Sequence, residues 1–149
     1  MRLGAIAGLM AVGMLRLPGA PPSEPDAVTI VDSGSTNRPG FRIVIDPAGV
    51  AEFTSTPRKS GAPLEQTKPI RRTLPRAAVK RLRSDLEAAM PFASLPVVHC
   101  MKSVSFGSAL TVAAGREQTP DLKCGDGGNA AMRNLIRDAN EIVALFPAN

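Results

Sequence analysis

The sequence predicts an α+β domain: an antiparallel β-sheet of four to six strands with two helices packed on one face. Three observations carry that prediction. Short β-branched or alternating runs, separated by Pro- and Gly-containing turns, fill residues 28–54. Two longer stretches, near 75–90 and 129–146, place apolar residues at spacings of three and four. There are no internal repeats.

The chain begins with a segment of a different kind. Arg2 gives a positive start, Leu3 to Leu15 are thirteen uncharged residues, and Pro18-Gly19-Ala20 places small residues where a cleavage site should lie. A membrane-spanning helix needs about 20 apolar residues. Residues 1–20 therefore read as a signal peptide, residues 21–25 as a Pro-rich spacer, and residues 26–149 as a single domain, with no transmembrane span in the mature chain.

The domain opens with a strand at Val28 to Val31, followed by a polar loop, Ser33 to Gly40. Phe41-Arg42-Ile43-Val44-Ile45 alternates as a half-buried strand does, and Asp46-Pro47-Ala48-Gly49 turns it into a partner strand at Val50 to Thr54. Pro57 to Pro69 reads as a polar loop, with a short edge strand within Lys68 to Arg72. Pro75 opens the first helix, which runs to about Met90, with Thr73 as an upstream cap. Val79, Leu82, Leu86 and Met90 form its core-facing stripe. After an irregular link bounded by Pro91 and Pro96, strands are expected at Val97 to Ser105 and Leu110 to Ala113, turning around Gly107-Ser108. The last helix spans about Asn129 to Phe146, with Met132, Leu135, Ile136, Ala139, Ile142 and Val143 on its apolar face and Asn129 or Asp126 as its cap.

Composition narrows the function. Arg2 and Arg16, two of the 18 basic residues, leave with the signal, so the charge falls from +5 to +3. A charge this modest favours solubility without implying nucleic acid. With five Phe, no Trp and no Tyr, the chain lacks the rings on which sugars and single-stranded nucleic acids usually stack.

Cys100 and Cys124 are the two cysteines, and in an exported chain they read as one disulfide, closing a loop of about 25 residues. A zinc site would need them together with His99. Neighbours on a strand diverge to opposite faces, however, and no fourth ligand has recognisable spacing, so neither a metal nor a Cys-His nucleophile is expected. No cofactor fingerprint occurs.

Ile30-Val31-Asp32-Ser33-Gly34-Ser35 resembles the aspartic-protease signature, in which two aspartates share one proton around a water. The resemblance would make Asp32 the catalytic acid/base. The chain has no second Asp-Ser/Thr-Gly, so activity would require a homodimer, and the apolar-Gly segment and helix that complete that fold are missing. Read from composition alone, Asp32 to Gly40 is a loop between two strands. Arg71, Arg72, Arg76, Lys80, Arg81 and Arg83 crowd six cations into thirteen residues. They are either a solvated helix face or a site for an anionic polymer or membrane surface. Gly125-Asp126-Gly127-Gly128 lacks the lysine and spacing of a nucleotide loop and reads as a flexible lead into the last helix.

The combined pattern joins Ser33-Gly34-Ser35-Thr36-Asn37 to His99-Cys100-Met101-Lys102-Ser103, Ser105-Phe106-Gly107 and Pro120-Asp121-Leu122-Lys123-Cys124. It resembles a group of small secreted bacterial proteins to which no activity is assigned. That resemblance implies an exported single domain and makes Ser33, Ser35 and Asn37, rather than Asp32, the signature residues of the first loop. The leading expectation is a secreted or periplasmic non-enzymatic domain, an interaction or structural module held by Cys100–Cys124, with the loop Ser33 to Asn37 and the basic face of the first helix as its contact surfaces and an envelope or extracellular protein or an anionic polymer as its partner. The aspartic-protease-like dimer and the anionic-surface binder are the alternatives.

Overall fold

The computed structural model describes residues 26–59, 68–124 and 128–147. The predicted signal peptide and spacer, residues 60–67 of the polar loop, and Gly125 to Gly127 with the alternative cap Asp126 lie outside the described residues.

Six strands form one antiparallel sheet: β1 (Val28–Asp32), β2 (Gly40–Ile45), β3 (Val50–Thr56), β4 (Ile70–Thr73), β5 (Leu110–Ala114) and β6 (Glu117–Gln118), in the spatial order β4-β3-β2-β1-β5-β6. The β2–β3 hairpin turns as its sequence demands. Asp46 accepts from the Val50 amide through Oδ1 at 2.8 Å, and Gly49 takes the positive φ of +84° that the turn requires. Register then builds the core. Ile30 lies beside Ile43 on one side and Val112 on the other, and Ile43 in turn lies beside Phe53.

Side chains alternate across the strands, so one face collects Val28, Ile30, Ile43, Ile45, Ala51, Phe53, Leu110 and Val112, all buried. The two helices, α1 (Arg76–Ala89) and α2 (Ala130–Val143), cover that face and contact each other. Leu82, Leu86 and Ala89 of α1 meet Met132, Leu135, Ala139 and Ile142 of α2 in the same cluster. Phe146, just beyond α2, stacks on Phe53 with ring centroids 5.4 Å apart, and Phe53 stacks on Phe41 at 5.5 Å. The opposite face, carrying Val31, Arg42, Val44, Glu52 and Thr54, is half-buried to exposed and has no helix packed on it among the described residues. The predicted fold class is the observed one.

Several expectations are corrected in detail. Residues 97–105 form no strand: 96–103 lie outside any helix, strand or turn, and 104–106 turn. β-Propensity alone does not make a strand where no neighbour offers hydrogen bonds. The sixth strand is instead Glu117–Gln118, paired with the end of β5. Thr73 belongs to β4, and the N-cap of α1 is Pro75, with no side-chain cap. Met90 is the exposed C-cap, so Ala89 takes its place in the core stripe. Asn129 caps α2 as expected, its side chain accepting from the Met132 amide at 2.9 Å.

Candidate functional site

Cys100 and Cys124 are bonded, with their Cα atoms 5.4 Å apart. Cys124 ends a short 3-10 helix, Leu122–Cys124, beside β5. The bond therefore ties the irregular segment 96–109 to the body of the sheet. Among the described residues no group of His, Cys, Asp or Glu could hold a metal ion, and no helix is long and apolar enough to cross a membrane.

A second anchor sits at the end of β1. Asp32 is only 3% exposed. Its Oδ1 accepts from the Gly34 amide at 2.8 Å, while Oδ2 accepts from Arg38 Nη2 at 2.9 Å, Lys123 Nζ at 2.7 Å and Ser108 Oγ at 3.2 Å. Burial pushes its carboxyl up, but the Lys123 hydrogen bond, the Gly34 amide, the Lys123 charge and the Ser108 hydroxyl outweigh that, leaving it below the ordinary value. Gly34 makes the turn possible. It has φ +61°, and a Cβ there would stand 2.5 Å from Gly40 N.

This carboxylate is held ionised with donors on both oxygens. Such an arrangement fixes three chain segments in place: residues 32–38, Ser108 and Lys123. It offers no proton to a substrate at neutral pH, and the carboxylate next along the network, Asp121, is separately engaged. Asp121 Oδ1 accepts from the Leu110 and Lys123 amides, at 3.1 and 3.0 Å, and its Oδ2 pairs with Lys102. Burial likewise pushes the Asp121 carboxyl up, and Lys102 with those two amides brings it below the ordinary range.

The serines of the first loop serve the same end. Ser35 Oγ donates to the Ser105 carbonyl at 2.8 Å and accepts from the Arg38 amide, while Ser33 Oγ accepts from the Ala109 amide at 2.9 Å. The Asn37 backbone amide donates to Ser105 O, and Thr36 Oγ1 donates to Val104 O. Ser33, Ser35 and Asn37 are therefore brought together as a clasp on residues 104–109. Ser35 is fully buried and only Asn37 is exposed.

The six cations near α1 are scattered. Arg71 faces Glu52 at 3.5 Å, Arg72 lies over the Phe146 ring, Arg81 pairs with Asp138 and Glu141, and Arg83 donates to the carbonyls of Asp26 and Asp46. Arg76 and Lys80 have no ion pair among the described residues.

What the clasp and the disulfide display is apolar. Val97 (66% exposed), Met101 (103%), Val104 (84%) and Phe106 (69%) project from one ten-residue stretch. Beside it runs a cleft of about 560 Å³, whose lining includes Phe92, Leu95, Val98, Thr119 and Pro120 together with Lys102 and Asp121.

Sequence reasoning missed Arg38, Ser108 and Lys123 as partners of Asp32. It also missed Asp138, which lies buried in the apolar stripe of α2 and binds Arg81 Nε at 3.0 Å and Arg137 at 2.9 Å. A charged residue between Leu135 and Ile142 was the available signal, since a buried carboxylate demands a cation. No protein-family model matches the chain, and no curated protein matches it.

Proposed function

We propose that this chain is an exported, non-enzymatic interaction module whose contact element is the stretch Val97 to Phe106. One observation carries the reading. Four of the six large apolar side chains exposed among the described residues lie in these ten residues. The same stretch is held by a disulfide and by hydroxyl clasps, and the Asp32 network fixes Ser108 just beyond it. Isolated exposed hydrophobics are ordinary; four within ten residues of one tethered loop are what a binding element presents. Rigid display also lowers the entropy lost on binding.

The disulfide and the absence of a spanning helix among the described residues fit an extracellular or periplasmic protein. Export through residues 1–20, and kinship with the secreted bacterial group noted above, belong to the same proposal. In this reading Asp32 anchors the contact loop and performs no acid/base chemistry.

A photoreactive amino acid at position 101, in the protein expressed in its host, tests the proposal. Adducts with another polypeptide, absent when the probe replaces Thr54 on the open sheet face, support it. An absence of adducts at 101 sinks it.

A further inference from the structure

We infer that a second copy of this chain occupies the contact surface, the two copies pairing as antiparallel strands through residues 97–103. The inference rests on the reading of this stretch as the contact element and names its partner.

The segment has strand chemistry without a strand's neighbour. Val97-Val98-His99-Cys100-Met101 is rich in residues that fit a pleated surface. Residues 96–103 nevertheless run without turn, bend or pairing. Among the described residues, no hydrogen bond uses the backbone groups from Val97 through Lys102. An exposed, unpaired run of this kind is a template for another strand. Cys100 and Lys102 tie the run to the body through Cys124 and Asp121, and Val97, His99 and Met101 are exposed beside them.

Self-complementarity selects the occupant. A two-fold interface requires the same patch to carry both a projection and a recess. Here the projecting Met101 and the cleft lined by Phe92, Leu95 and Val98 lie along one segment. Pairing about a two-fold axis at Cys100 sets Val97 opposite Ser103, Val98 opposite Lys102 and His99 opposite Met101. No like charges face each other in that register, and Lys102 remains neutralised by its own Asp121.

Sedimentation velocity on the disulfide-intact chain recovered from its host, up to about 1 mM, the weak end of specific affinity, tests the proposal. A dimer is expected, with Met101→Glu weakening association at least tenfold and Thr54→Glu leaving it unchanged. Because Met101 is fully exposed, the variant should retain the parent's unfolding midpoint. A monomer at every concentration, or a dimer indifferent to Met101→Glu, overturns the inference. A solution monomer that still forms adducts with a different polypeptide through position 101 overturns the dimer alone. A monomer without adducts removes the contact-loop reading as well.

Discussion

Lys123 Nζ lies 2.7 Å from Asp32 Oδ2 and joins residues 91 positions apart in the sequence. Because Lys123 precedes Cys124, this ion pair and the disulfide fasten the same chain segment from adjacent positions. Asp32→Asn keeps the shape and removes the charge, leaving Arg38 and Lys123 without their counter-ion. Breaking a buried pair costs about 3–5 kcal/mol, and the partial exposure of both cations reduces the expected loss to roughly 2–3 kcal/mol. A lower urea midpoint with an unchanged slope would establish it.

The acid limb of stability should trace to two carboxylates. Asp32 and Asp121 are held below their ordinary values when folded. Their contribution is therefore complete above the unfolded carboxylate value near about 3.9, and it drains away as pH falls through the lower folded values. Asp85 runs the other way. Burial, then its hydrogen bond with Asp138 and that residue's charge, raise its carboxyl, so its contribution declines as pH rises through the folded value. Urea midpoints measured downward from neutral pH should fall in acid, and less steeply in Asp32→Asn.

Two acids at the interface of α1 and α2 should respond oppositely to neutralisation. Asp138→Asn takes the buried carboxylate from Arg81 and Arg137, which keep Glu141 and Asp85 respectively, and should destabilise by roughly 1–2 kcal/mol. Asp85→Asn relieves a carboxylate that burial and Asp138 oppose despite its 2.8 Å pairing with Arg137, and should raise the midpoint slightly at neutral pH. Thermal unfolding of the two variants side by side checks the signs.

Replacing both Cys100 and Cys124 by Ser should cost about 3–4 kcal/mol in the chain-entropy account of a loop this long. Denaturation of the parent with and without reductant should show the same difference.

Met101→Lys and Val104→Lys should change stability by less than about 0.5 kcal/mol, since neither side chain packs on the core. A large loss in either would mean that the loop's apolar residues hold the fold rather than face a partner.

The alternation in Phe41 to Ile45, the Asp46 to Gly49 turn and the stripe from Met132 to Ile142 made the sheet and helices legible, because each is a local pattern with one buried face. The two cysteines made the disulfide legible once export was assumed. Residues 97–105 misled, because strand propensity does not specify a neighbour to pair with. The partners of Asp32 were hidden for a related reason: Arg38 is six residues away, but Ser108 and Lys123 are 76 and 91 away. Only the β1–β5 pairing and the disulfide bring them to one point. Asp138 had a local signal, a carboxylate in an apolar stripe, but its cations come partly from the other helix.

The loop from Val97 to Ala109 thus has fasteners that yield to different agents. A thiol reductant opens Cys100–Cys124 and leaves the Asp32 ion pairs intact; acid neutralises Asp32 and leaves the disulfide intact. The hydroxyl clasps from Ser33, Ser35 and Thr36 answer to neither agent. Redundancy of this kind means that a single chemical insult should loosen the displayed surface without setting it free.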